Sequence, residues 1–192
     1  VEFLNHLNNS SKQSLVMSMY FDKNAGTPAH QDGYYLDTLP IGNLTAAWIA
    51  LEDIDERAGR FYVIPGSQNV KLELTEEEIK TSDLYEAKVK EHIQSNSLPI
   101  EAPPLKAGDV LFWNSGTIHG SLRTKEKGFS RKSFTCHFVP NNAEYIQNRY
   151  IQTVRSIEGF EHNNVLCRIT NSINKENINF ELKARSVESF DR

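Results

Sequence analysis

"AGDVLFWNSGTIHGSL" (residues 107–122) reads as two short strands joined by a turn. Gly108-Asp109 launches the apolar run "DVLFWN" (109–114), and "TIHGSL" (117–122) follows the turn with His119 and Ser121 on one side. That reading uses the two-residue side-chain period of a strand. Similar runs lie on either side. "SLVMSMYF" (14–21) comes first, then "LTAAWIALED" (44–53), in which Leu44, Ala46, Trp48 and Ala50 share a face. "RFYVIPG" (60–66) and "RKSFTCHFV" (131–139) complete the series. Short strands punctuated by turn signals favour a sandwich, barrel or jelly roll over an alternating α/β fold.

One insertion breaks the β-series. "TEEEIKTSDLYEAKVKEHIQ" (75–94) is rich in helix formers, and Thr75 with Glu78 makes a capping-box start. A helix there either packs on the β-core or covers a site. After the last β-run the chain turns polar and rich in asparagine. "EYIQNRYIQTVRSI" (144–157) reads as a helix, and the stretch 161–180 shows no clear period. The 192 residues suffice for one domain with a sizeable core. We read a single domain over 1–192, with its core at about 14–140, the helical insert at about 75–94 and a polar extension over 141–192.

Charge and composition exclude several classes of partner. The net charge is −4 and basic residues are scattered, so no footprint for nucleic acid or an anionic membrane surface exists. No apolar run approaches the ~20 residues of a membrane span. Cys136 and Cys167 are the only cysteines, too few for a disulfide framework and without zinc-type spacing. With no signal peptide visible, a reducing compartment is expected, the cytoplasm. The sequence opens on Val1 rather than methionine, so residues upstream are expected.

The chemistry centres on "TPAHQDGYYLDT" (27–38), where His30 and Asp32 stand two apart after a turn. Strands distant in sequence converge inside a β-barrel, which lets this pair meet His119. Two imidazoles and one carboxylate leave coordination positions open, as suits non-haem Fe(II) working with O2. A closed structural zinc site would want a fourth protein ligand, and nothing in the spacing of His137 recommends it. His6, His92 and His162 sit in polar surroundings. Cys136 alternates with the phenylalanines of its strand and reads as core.

Taken together, "TPAHQD", "AAWIALED", "GRFYVIPGSQ", "AGDVLFWNSGTIHGS" and "GFSRKSFTCHF" resemble the phytanoyl-CoA dioxygenase family. These are Fe(II)- and 2-oxoglutarate-dependent oxygenases with a mainly β, double-stranded β-helix (jelly-roll, cupin-like) core and flanking helices. The resemblance runs from about Ser14 to Pro140, with every block in family order. It does not extend to the tail or to the helical N-terminal region usual in the family.

The resemblance implies that His30, Asp32 and His119 bind Fe(II) as the catalytic triad. It implies that Arg131 grips the far carboxylate of 2-oxoglutarate. The interval from His119 is one residue longer than the family's, with Ser130 as the extra residue, and Arg123 lies too close to His119 to serve instead. Ser121, Trp48 and Gln31 match positions at the cosubstrate, and Ser133 shares a strand face with Arg131, Thr135 and His137. Trp48 fits core and pocket wall alike. Either Tyr34 or Tyr35, leaving the metal directly from Asp32, would border a small-molecule substrate, or both simply pack the loop "GYYLDTLPIGN" (33–43). The implied reaction hydroxylates an unactivated C–H bond and releases succinate and CO2. The rival reading is a non-catalytic jelly-roll protein that binds metal or a small molecule. A metal hydrolase or isomerase would have no need of the dicarboxylate clamp that Arg131 and Ser121 form.

Overall fold

The computed structural model describes residues 2–168. Helix α1 (Glu2–Leu7) precedes strand β1 (Gln13–Phe21), and β2 (Leu36–Leu39), β3 (Thr45–Ala50) and β4 (Phe61–Val63) follow. Helices α2 (Glu76–Lys80) and α3 (Ser82–Ser95) interrupt the strands. The chain continues through β5 (Val110–Asn114), β6 (His119–Ser121), β7 (Ser133–Pro140) and β8 (Glu144–Gln147). It ends in β9 (Thr153–Val154), β10 (Gly159–His162) and β11 (Val165–Arg168). The fold is mainly β, and no described helix is long and apolar enough to cross a membrane.

One sheet carries six strands in the order β10-β11-β1-β7-β3-β5, a second carries β2-β8-β9, and β4 pairs with β6. Within the run β1-β7-β3-β5 each strand is antiparallel to the next. Their register lines up Met17, His137 and Ala46 across three strands, and likewise Met19, Thr135 and Trp48. A bulge in β1 between Leu15 and Met17 breaks the strict alternation. Neighbouring residues can then both face inward. Val16 joins a cluster with Leu36, Leu44, Val139 and Tyr145, while Met17 reaches the cavity described below.

Strand β3 is buried on both faces, so its alternation does not show as exposure. Ala46, Trp48 and Ala50 pack with Phe61 and Trp113 on the inner face. On the other face the Thr45 hydroxyl donates to Asn8 Oδ1 at 2.8 Å, beyond the end of α1. Leu44, expected with the Trp48 face, precedes the strand and packs in the cluster around Val139 instead.

The insert forms its capping box, with Glu78 N donating to Thr75 Oγ1 and Thr75 N donating to Glu78 Oε2. Extended backbone at Thr81 divides it into two helices. Helix α3 buries Tyr85 and Val89 against Tyr34, Tyr62, Ile64 and Ile118. Burial of a side chain such as Val89 contributes about 1.5–3 kcal/mol. The insert therefore packs on the core, and Glu86 on the same helix reaches the rim of the cavity.

Residues 144–157 do not form the expected helix. Strand β8 pairs with β2 and buries the adjacent Tyr145 and Ile146. Asn148 and Gln152 then adopt left-handed backbone with φ of 60° and 58°, which a helix cannot continue through. Strands β10 and β11 form a hairpin turned by Asn163 and Asn164, both at positive φ, and β11 runs parallel to β1. The rest of the polar extension, 169–192, lies outside the described residues.

This extension supplies Arg149 to a buried cluster. Arg149 Nε and Nη2 donate to Asp37 Oδ2 at 2.9 and 2.6 Å, while the Ser115 hydroxyl donates to Asp37 Oδ1 at 2.7 Å. Backbone bonds tie the same arginine to the metal-ligand loop: Arg149 N donates to Gly33 O, and Gly33 N to Ser115 O, both at 2.8 Å. A Cβ on Gly33 would fall inside the Arg149 guanidinium, so the loop's close approach requires glycine. Arg149→Ala leaves the buried Asp37 carboxylate without its cation and should lower stability by about 3–5 kcal/mol in urea unfolding. Arg149→Lys should recover only part of the loss, because an ammonium cannot reproduce the two guanidinium bonds that converge on Oδ2.

Candidate active site

His30 and His119 come together through backbone. His30 N donates to His119 O and His119 N to His30 O, each at 3.0 Å, in an isolated antiparallel bridge. Such a reciprocal pair holds the two residues directly opposite each other, and the ring centroids lie 4.3 Å apart. Each ring is then turned by its own segment. His30 Nδ1 bonds to Pro28 O and His119 Nδ1 to Thr117 O, both at 2.9 Å. Since a carbonyl only accepts, each Nδ1 carries the proton, and each Nε2 keeps its lone pair.

Both lone pairs converge on Asp32, whose Oδ1 lies 3.5 Å from each Nε2. Asp32 opens a single 3-10 turn, Asp32–Tyr34, and its side chain is buried. The other carboxylate oxygen is held from behind. Trp113 Nε1 donates to Oδ2 at 2.8 Å, and His137 Nε2 lies 3.3 Å from the same atom. Burial alone would raise the Asp32 pKa, but the imidazoles of His119 and His137 outweigh it and hold the carboxyl well below its usual range. Burial keeps His119 below the ordinary histidine value. At His30, burial acts the same way, but the bond and charge of Asp32 prevail and raise the pKa.

One ligand atom from each of His30, Asp32 and His119 lies within 4.8 Å of the others. Two imidazole lone pairs and one carboxylate oxygen, each ring fixed at its far nitrogen by a carbonyl, fit a divalent metal with open positions.

The triad borders a cavity of about 430 Å³ between the large sheet and the β4–β6 pair, walled by Met17, Met19, Trp48, Phe61 and Trp113. Arg131 closes another part of the wall and is 1% exposed. Its Nη1 donates to Gly59 O at 3.1 Å and to Ser121 Oγ at 2.8 Å, while the buried Nε has no partner. Its guanidinium sits 5.8 Å from the centre of the Trp48 ring. Among the described residues no carboxylate pairs with it, and burial lowers its pKa to about 10, leaving it charged at neutral pH.

The other expected site residues divide. Trp48 lies on the cavity wall and in the core cluster at once. Ser121 acts through Arg131, and the buried Ser133 bonds the Arg131 carbonyl at 3.3 Å rather than facing the cavity. Gln31 is placed elsewhere. The 3-10 turn that aims Asp32 inward sends the neighbouring amide into the opposite layer, where it donates to Gly116 O and Val70 O. Its backbone N donates to the Tyr85 hydroxyl at 2.9 Å.

The same turn separates the two tyrosines. Tyr34 stacks on Tyr85 with ring centroids 3.8 Å apart and lies off the cavity, whereas Tyr35 lines it, edge-on to His30 at 5.5 Å. Trp113 and His137 were not assigned from sequence. Strand alternation puts His137 on the Arg131 face, but only the β3–β7 and β3–β5 registers bring it and Trp113 to Asp32.

Known proteins agree with this architecture. The family model described as phytanoyl-CoA dioxygenase matches residues 3–133. The chain is 27% identical over 157 residues to the peroxisomal phytanoyl-CoA dioxygenase of Bos taurus, covering 80% of this chain and 43% of that protein. It is 31% identical over 127 residues to the Mus musculus protein of the same name, covering 65% and 36%. It thus spans less than half the length of these relatives.

Among solved structures, it is similar to the non-heme α-ketoglutarate dependent carbocyclase SnoK from nogalamycin biosynthesis. The TM-score is 0.60 at 21% identity, over 82% of this chain and 64% of that one. It is also similar to EctD from S. alaskensis, solved with 2-oxoglutarate and 5-hydroxyectoine. There the TM-score is 0.55 at 20% identity, over 73% and 49%. At these identities the likeness is one of fold. With a family model matched over most of its length, the chain belongs to the phytanoyl-CoA dioxygenase family.

Proposed function

We propose that the chain is an Fe(II)- and 2-oxoglutarate-dependent oxygenase that hydroxylates an unactivated C–H bond of a small molecule. The observation that carries this reading is Arg131. A buried guanidinium without a counter-ion is unfavourable by several kcal/mol, and this one lines the same cavity as an open metal triad. A dicarboxylate resolves both: one end reaches the metal and the other supplies the missing anion. Charge-assisted bonds from a planar fork suit a carboxylate.

His30, Asp32 and His119 would hold the iron. When bound, the iron supplies O2 activation coupled to oxidative decarboxylation of 2-oxoglutarate to succinate and CO2. The protein's own part is to orient and to exclude water. Trp113 holds Asp32 Oδ2, with His137 Nε2 3.3 Å from it, so that Oδ1 is the oxygen turned to His30 and His119. Trp48 gives the cosubstrate a flat wall beside Arg131, and the methionine and aromatic lining keeps the cavity dry. Two buried or half-buried free thiols agree with a reducing compartment such as the cytoplasm.

Asp32→Ala should abolish succinate formation and weaken Co(II) binding, read by its visible absorption, by more than the about 10–100-fold typical of a lost supporting partner. Unchanged metal affinity in that variant would refute the triad. Trp113→Phe keeps the ring but removes the donor, and should weaken Co(II) by about tenfold while circular dichroism stays native. Arg131→Ala should reduce 2-oxoglutarate affinity at least tenfold, a loss of about 2–5 kcal/mol, with Co(II) affinity nearly unchanged. A protein that binds 2-oxoglutarate but releases no succinate would be the non-catalytic binder instead.

A further inference from the structure

We propose that Glu86 makes the mouth of the cavity selective for a cationic prime substrate, an ammonium group carried on an apolar body. The inference deepens the oxygenase reading and rests on it for the contents of the loaded site. Glu86 is a half-buried residue of α3 that lines the cavity, and Asp32 is the other carboxylate on that wall. Among the described residues no lysine or arginine pairs with Glu86. On the helix Lys88 pairs with Glu91 at 3.0 Å, while Asp83 and Lys90 share an adjoining outer groove with Glu86 and, unlike it, do not line the cavity. The Tyr35 hydroxyl donates to Glu86 Oε1 at 3.0 Å, and the same ring stands edge-on to His30. Glu86 and the metal triad are thus separated by one aromatic side chain.

Formal charges sharpen the point. A divalent metal, the Asp32 carboxylate, a dicarboxylate cosubstrate and the Arg131 guanidinium sum to zero. Glu86 is therefore the group that gives the loaded cavity a net charge, and that charge is negative. Its walls are otherwise mainly apolar and aromatic, with Tyr35, Phe61, Trp48 and Trp113 among them, and aromatic rings attract a cation. Arg131 is the cation of the wall, and it is committed to the cosubstrate. An anionic substrate would meet like charge at the rim, and among the described residues no lysine lines the cavity.

The test uses three probes that share one body: 4-phenylbutylamine, 4-phenylbutanol and 4-phenylbutyrate. Trp48 and Trp113 lie on the cavity wall and report binding by their fluorescence, in titrations without O2, with and without Mn(II) and 2-oxoglutarate. In the loaded protein the amine should bind at least about tenfold tighter than the carboxylate, with the alcohol between them. Glu86→Gln, checked for native circular dichroism, should bring the three within about threefold of one another, chiefly by weakening the amine. Glu86→Ala should do the same. Carboxylate binding as tight as amine binding would overturn the proposal. So would a Glu86→Gln protein that weakens all three equally, since Glu86 would then merely brace Tyr35. Absence of saturable binding by any probe also counts against it. Failure of the oxygenase reading shows separately, as absence of succinate under O2, and leaves the ranking of the probes intact.

Discussion

The backbone bridge between His30 and His119 joins segments from opposite ends of the β-core, and the site hangs from it. Two 3.0 Å hydrogen bonds set the histidines face to face, and the carbonyls of Pro28 and Thr117 then turn each ring. Four main-chain interactions therefore aim both Nε2 atoms without help from any other side chain. Asp32 needs more. It sits on a 3-10 turn, where a carboxylate is free to rotate, and the Trp113 indole removes that freedom from the far side, with the His137 ring packed 3.3 Å from the same oxygen. The sheet beneath is the frame for this second layer, since β5 supplies Trp113 and β7 supplies His137.

Two buried charges show opposite solutions to one problem. Asp37 is fully enclosed and fully matched, with two arginine N–H groups on one oxygen and a serine hydroxyl and the amides of Thr38 and Gly42 on the other. Arg131 is equally enclosed, yet its bonds go to neutral oxygens and its Nε has none. Taking an ion out of water is unfavourable by several kcal/mol even after relaxation. Asp37 meets that penalty within the fold. Arg131 does not, since no carboxylate among the described residues supplies its counter-charge.

Local pattern made much of this legible. The β-runs, the capping box at Thr75 and the His30–Asp32 pair are properties of short windows of sequence, while the family resemblance joins His119 to that pair. The errors arise where geometry departs from a simple period. The 3-10 turn after Gln31 sends Gln31 and Tyr34 away from the cavity and Tyr35 into it, against strand alternation. The segment at 144–157 has helix-forming composition, but pairing with β2 and the left-handed Asn148 decide otherwise. Trp113, His137 and Glu86 share a different obstacle. Their partners lie on other strands or on another layer, and the registers and helix docking that unite them leave no trace in a single window.

The Gly33 contact constrains how this cavity can diversify. The residue next to the aspartate ligand touches the Arg149 guanidinium, so any side chain there would disturb the Asp37 cluster and, through Ser115, the start of the turn before His119. Sequence change at that position is closed off by an electrostatic cluster that never meets the ligand. Adaptation toward new chemistry is left to residues farther out: Tyr35 on the loop, Met17 and Met19 on the first strand, and the outward turn of the inserted helix. The molecule thereby separates a sterically fixed centre from an adjustable rim, and the boundary between them runs through a single hydrogen atom.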